Sequence, residues 1–158
     1  MSGKQKYYSY EDALRLMKRY CAYRERCHKE VEQRMQNLGW AGEMREKIMI
    51  RLIEEDFLNE ERYARAYARG KFYINKWGRN RIVHNLISKG ISSRNIEAGL
   101  TEIDETDYLD TLRQLIKKKK NEYAGTPSYV KKQKILRYMT DKGYEIDLIL
   151  RECEQSTQ

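Results

Sequence analysis

Three times along the chain, two apolar residues four apart are followed four positions later by a glycine and then at once by a large apolar residue. The copies are Val31-x3-Met35-x3-Gly39-Trp40, Ile82-x3-Leu86-x3-Gly90-Ile91 and Ile135-x3-Met139-x3-Gly143-Tyr144. Residues four apart share one face of a helix, and a glycine one turn later can take the left-handed conformation that closes it, folding the next residue back on the core. The glycines stand 51 and 53 residues apart. A repeat of this period fixes the architecture ahead of any other feature.

The residues before each copy have a 3.6-residue apolar period: Tyr10, Ala13/Leu14, Met17 and Tyr20/Cys21; Tyr63, Ala66/Tyr67, Gly70, Tyr73/Ile74 and Trp77; Leu109, Leu112, Leu115/Ile116 and Tyr123. Shorter periodic stretches follow each glycine, through Met44, Ile48 and Leu52, then Ile96, Leu100 and Ile103, then Ile146, Ile149/Leu150 and Cys153. Each unit therefore reads as a long, a middle and a short helix. Start signals divide them: Ser9 with Asp12 three later, Asn59 before Glu60 and Glu61, Ser92, and Thr126 with Pro127 at the first helical position. One proline in 158 residues argues against an all-β chain, which needs frequent turns.

The expectation is an all-α chain of three tandem three-helix repeats, residues 9–57, 58–104 and 105–154, between an N-terminal tail (1–8) and a C-terminal tail (155–158). Three-helix units of about 50 residues bury little surface alone, so they should lean end to end into an elongated, curved body. No apolar run reaches the roughly 18 residues of a membrane span, and the first residues lack the apolar core of a secretion signal, so the expected location is the cytoplasm. Cys21, Cys27 and Cys153 fit neither a disulfide framework nor a zinc site and are expected as free thiols.

Signatures of catalysis are missing. His28 and His84 have no partner at ligand spacing, and there is no glycine-rich phosphate loop or nucleophile elbow, so neither cofactor nor metal is expected. Glu54, Glu55 and Asp56, with Glu60 and Glu61 shortly after, offer the carboxylates a magnesium nuclease would need. They span one helix end and the next helix start, where Asn59 caps and acids favour the positive pole of the dipole, so the structural reading is preferred and no enzyme is expected.

The basic residues carry more information. Lys and Arg number 32 against 24 Asp and Glu, a net charge of +8 that makes anionic partners the expectation. Arg62, Arg65 and Arg69 form one helix stripe; Lys71 and Lys76 precede Arg79 and Arg81, which open the next helix. Lys117, Lys118, Lys119 and Lys120 cover a full turn, and Lys131, Lys132 and Lys134 open the helix after it. Such clusters neutralise phosphates without regard to sequence, or simply solvate helix faces. Thirteen tyrosines suit surfaces that are partly core and partly contact; Tyr63, Tyr67, Tyr108 and Tyr144 read as helix packing, while Tyr7 and Tyr8 have no assignment.

The stretch Asp56-Phe-Leu-Asn-Glu-Glu-Arg-Tyr-Ala-Arg-Ala-Tyr, followed by Trp77-Gly-Arg-Asn-Arg-Ile-Val-His-Asn-Leu-Ile-Ser-Lys-Gly-Ile91, resembles the RecX family of RecA regulators. The matching positions are Glu60, Glu61, Arg62, Tyr63, Ala64, Gly78, Ile82, Leu86, Gly90 and Ile91; Gly39 and Gly143 extend the plan to the other units. Asn59 stands where the family often has an acid, Tyr63 replaces phenylalanine, and Arg79 replaces the proline after the glycine. The last change gives up a preorganised helix start and adds a charge. The resemblance implies a modulator, without a catalytic centre, that lies along the RecA filament on DNA and restrains its ATPase, strand exchange and co-protease activity; the expected partners are that filament and single- or double-stranded DNA, and the chain is expected to be a monomer. The rival reading is an autonomous nucleic-acid-binding helical protein.

Overall fold

The computed structural model describes residues 7–155; residues 1–6 and 156–158, which hold most of the two expected tails, lie outside the described residues. Among the described residues the chain is all-α, with nine helices in three successive groups and no strand. The first group is α1 (Tyr10–Tyr23), α2 (His28–Asn37) and α3 (Gly42–Glu54). The second is α4 (Glu60–Tyr73), α5 (Arg79–Ser88) and α6 (Ser93–Leu100); the third is α7 (Glu105–Glu122), α8 (Ser128–Lys142) and α9 (Ile146–Gln155). None of them is long and apolar enough to cross a membrane.

The three repeated glycines close their helices by one set of bonds. Gly39, Gly90 and Gly143 have φ of 78°, 78° and 104°. Each donates its N–H to the carbonyl three residues back at 2.9 Å, and the next residue donates five back: Trp40 to Met35 at 3.2 Å, Ile91 to Leu86 at 3.1 Å, Tyr144 to Met139 at 3.0 Å. Trp40, Ile91 and Tyr144 are all buried. Asp56 (φ 61°) closes α3 in the same way, with Phe57 donating to Leu52 at 2.8 Å, so a non-glycine residue makes a fourth copy of the turn.

Start signals hold at Ser9, Asn59 and Ser92, whose side chains accept from the backbone N–H of Asp12, Arg62 and Asn95. Pro127 is a correction: with ψ 141° it is extended and precedes α8 as its cap, its carbonyl accepting from Lys131. Asp104 caps α7 by accepting from the Asp107 N–H at 3.0 Å, a start not foreseen. The long, middle, short order also fails in the first group, where α3 has 13 residues and α2 has 10, because the period through Met44, Ile48 and Leu52 runs unbroken to the Asp56 turn.

The described residues up to Tyr63 and those from Ala64 onward form two compact units. In the first, α1 and α2 both pack on α3 around Ala13, Met17, Cys21, Val31, Met35, Trp40, Ile48, Leu52 and Leu58. Tyr8 lies edge-on to Trp40, with ring centroids 5.4 Å apart, which gives that tyrosine a packing role. Two of the five carboxylates considered for magnesium are engaged by side chains of the chain: Glu55 by Lys18 at 2.7 Å and by Arg51, Asp56 by Arg62 and Asn59.

In the second unit, α5 packs on α6, and α7, α8 and α9 pack on one another. The buried stripe of α4 departs from expectation: Tyr63, Ala64, Ala68 and Phe72 are buried, whereas Tyr73 is 46% and Ile74 80% exposed. Small residues decide this. A Cβ on Gly99 of α6 would sit 2.7 Å from the Ala64 carbonyl oxygen, so the helices meet backbone to backbone on the alanine side. Phe72 then reaches Tyr108 (centroids 5.5 Å), which reaches Tyr144 (5.2 Å), a row of rings joining α4, α7 and the α8–α9 turn. Tyr10 and Ile146, expected on buried faces, are 41% and 54% exposed at the first turns of their helices.

Candidate nucleic-acid interface

Four of the arginines singled out from the sequence face carboxylates of the chain itself. Arg62 donates to Glu25 at 2.7 Å and to Asp56 at 3.0 Å. Arg65 donates to Glu102 at 3.1 Å and to Thr101, and Arg69 meets the same Glu102 oxygen at 3.3 Å. The hydrogen bond from Arg65, then that from Arg69, holds the Glu102 carboxyl below the usual glutamate range. Arg79 pairs with Glu105 and Glu145 while its guanidinium lies 3.9 Å from the Tyr108 ring centroid. Planar, multi-donor guanidinium groups suit such fixed ion pairs.

Arg79 also begins a joint between the second and third groups of helices. The N–H of Gly78 donates to the Lys142 carbonyl at 2.8 Å and that of Asn80 to the Gly143 carbonyl at 2.9 Å, so the start of α5 is capped by the end of α8. The Tyr108 hydroxyl accepts from the Arg79 N–H at 3.1 Å and donates to Glu145. Burial first, then Glu145, keeps that phenol protonated far above the ordinary tyrosine range. The Tyr144 hydroxyl donates to the Lys76 carbonyl at 2.9 Å, and Lys76 itself is left-handed, with φ 58°.

This joint gathers cations that are remote in sequence. Lys142 donates its Nζ to the Asn75 carbonyl at 3.0 Å, which sets it beside Lys76, and Arg81 packs its backbone against Gly143. Burial, and then the like charges of Arg81, Lys76, Lys118 and Lys119, push the Lys142 ammonium below the usual lysine range. Aromatic rings alternate with these charges. Arg81 and Lys71 lie over the Trp77 ring at 4.0 and 4.7 Å, Lys71 and Lys89 over Tyr67 at 5.5 and 5.9 Å, and Lys119 over Tyr138 at 4.1 Å, one turn before Lys142. Among the described residues no ion pair joins Lys71, Lys76, Arg81, Lys118 or Lys142 to a carboxylate.

The lysine turn of α7 divides. Lys118 and Lys119 belong to this group, although Lys119 also meets Glu122 at 3.0 Å. Lys117 and Lys120 instead border a cleft with Arg113 and Glu152, where Arg113 pairs with the nearly buried Glu152 at 2.9 Å. Lys120, Lys131 and Lys132 line a second cleft of about 390 Å³ beside Ile135 and Cys153, and Lys134 lies 5.3 Å over Tyr123. Consecutive helix residues step around the axis, so a run of four lysines supplies two faces. Sequence reasoning missed Lys142, a single charge at a helix end whose neighbours come from other helices.

The family model for the second three-helix domain of RecX matches residues 59–100, and that for the third three-helix domain matches residues 105–151. The chain is 31% identical over 121 residues to the regulatory protein RecX of Clostridium perfringens (strain 13), covering 75% of this chain and 56% of that protein. It is 34% identical over 121 residues to that of Clostridium acetobutylicum, covering 70% and 56%. The chain thus spans about half the length of the curated relatives it matches. Among solved structures, RecX from Lactobacillus salivarius superposes with a TM-score of 0.82 at 25% identity, over 92% of this chain and 95% of that one.

Proposed function

The chain belongs to the RecX family, and on that footing we propose that it is a regulatory protein that binds the RecA recombinase filament on DNA and modulates it, mainly by inhibiting its ATPase, strand-exchange and co-protease activities. The observation that carries the reading is the coincidence of two things in residues 59–151: the three-helix domains of the family, and the cation group around Lys142. A nucleoprotein filament offers repeated protein faces with phosphates between them, and several modest contacts on such a lattice add through effective concentration. The proposal includes action as a monomer, in the cytoplasm, without a cofactor and without catalysis by the chain itself.

Of the cations singled out from the sequence, Lys71, Lys76, Arg81 and Lys118 are assigned to DNA, and Lys119, which belongs to the same group although Glu122 also meets it, is assigned with them. Arg62, Arg65, Arg69 and Arg79 are assigned to holding helices in place, because their donors already meet carboxylates. Lys117, Lys120, Lys131 and Lys132, which line the two clefts, and Lys134, which shares the Tyr123 ring with Lys119, are left for either component of the filament.

A second reading, an autonomous nucleic-acid-binding protein, is favoured by the same cation group taken alone. Titrating the protein into the DNA-stimulated ATPase of RecA on single-stranded DNA separates the two. Inhibition at amounts far below those that saturate the free DNA is expected; inhibition that begins only once all the DNA is coated would transfer the case to the second reading.

A further inference from the structure

The geometry points to a specific phosphate-binding track in the second unit, formed by Lys71, Lys76, Arg81, Lys118, Lys119 and Lys142, that grips a nucleic-acid backbone without stacking its bases. It rests on the nucleic-acid half of the function proposed above and needs no recombinase.

Three observations carry it. The first is where the chain sets its charges. Lys142 is tied to the Asn75 carbonyl beside Lys76, and Gly143 brings the Arg81 backbone into contact with the same turn. Like charges held together on a fixed joint repel, and the cost is recovered when an anion arrives. Lys76 is kept there in a left-handed conformation (φ 58°) that is unfavourable for a non-glycine residue, with its carbonyl fixed by the Tyr144 hydroxyl.

The second is the division of labour between cation types. The arginines Arg62, Arg65, Arg79 and Arg113 are matched to carboxylates within the chain, whereas the track is mainly lysine, and among the described residues only Lys119 of the track also meets a carboxylate, Glu122 at 3.0 Å. Lysines act as point charges on flexible stems, which suits phosphates whose positions shift along a strand and does not suit the fixed bidentate geometry of a protein carboxylate. A polyphosphodiester is therefore favoured over an acidic protein face.

The third is the state of the rings. Trp77 carries Arg81 at 4.0 Å and Lys71 at 4.7 Å, and Tyr138 carries Lys119 at 4.1 Å. Base stacking needs an uncovered ring, and these rings serve instead as apolar seats that hold the cations in position. Recognition is then by charge spacing, and the base does not matter.

The test uses the full chain and a fluorescently labelled single-stranded oligonucleotide, read by anisotropy across a salt series. The double variant Lys142→Gln/Arg81→Gln, and separately Lys118→Gln/Lys119→Gln on the α7 surface, are each expected to lower the slope of log K against log salt by about 0.7 for every phosphate that is no longer neutralised, with helicity by circular dichroism unchanged. Lys47→Gln, in the first unit, is expected to leave the slope as it is. An abasic oligonucleotide of equal length is expected to bind within about twofold, since the loss of even one stacked base would weaken binding by about fivefold or more. Tripolyphosphate should compete and polyglutamate should not. Wild-type slopes in both double variants, while the parent still binds DNA, would overturn the track and leave the functional reading standing; so would efficient competition by polyglutamate, or a large loss with the abasic strand. A parent protein that binds no DNA would overturn both.

Discussion

The backbone N–H of Gly78 donates to the carbonyl of Lys142 at 2.8 Å, so a helix start in the second group is capped by a helix end in the third. Only glycine permits this approach: a Cβ at position 78 would overlap the carbonyl group of Gly143 and the backbone nitrogen of Tyr144. The contact lies at the centre of the joint that carries Lys76, Arg81 and Lys142, so the fold and the proposed interface share one origin.

Gly78→Ala is therefore expected to be far more damaging than Gly90→Ala. At position 90 a Cβ meets nothing within 4 Å, and the cost is the left-handed backbone alone (φ 78°), about 1–2 kcal/mol. At position 78 backbone would have to move against backbone, with a cost of about 3 kcal/mol or more. Chemical denaturation of the two variants checks the order; equal losses would mean the joint yields without penalty.

Removing charge should separate the two classes of basic residue. Arg62→Gln loses donors to Glu25 and Asp56 and is expected to lower the melting temperature by a few degrees while leaving the salt dependence of DNA binding unchanged. Arg81→Gln should do the reverse, because its charge lies over Trp77 and beside Lys142 and no carboxylate pairs with it among the described residues. A salt slope that falls for Arg62→Gln as much as for Arg81→Gln would return the whole Arg62, Arg65, Arg69 stripe to the interface.

The helix endings were legible because they are local: Gly39, Gly90 and Gly143 each close a helix through bonds reaching no more than five residues back. The buried face of α4 was less so. Apolar periodicity weights Tyr67, Tyr73 and Ile74 heavily, yet Ala64 and Ala68 face the core, since close approach to Gly99 rewards small size over hydrophobicity. The candidate interface was half legible. The runs around Arg79 and Lys117 stand out as charge, but charge alone does not reveal that Glu145 neutralises Arg79 from 66 positions away, or that Lys142 comes to rest beside Lys76 and Arg81. Those outcomes depend on long-range packing that no window along the chain contains.

Glu102 gives the expected pH dependence. Arg65 and Arg69, both on α4, meet its carboxylate just beyond α6 and so reinforce the tight contact of Ala64 with Gly99. Because these donors favour the ionised form, the folded-state pKa lies below the ordinary 4.5. The ionised carboxylate therefore contributes its full stabilisation above about pH 4.5, and the contribution fades as the pH falls through the lower, folded-state value, where the native protein also takes up the proton. Glu102→Gln is thus expected to melt a few degrees below the parent at pH 7, with the difference shrinking steadily as the solution is acidified past that value. Parallel melting curves for parent and variant from pH 7 down to pH 2 measure this; a gap that stays constant throughout would show that the side chain acts by shape and hydrogen bonding, without its charge.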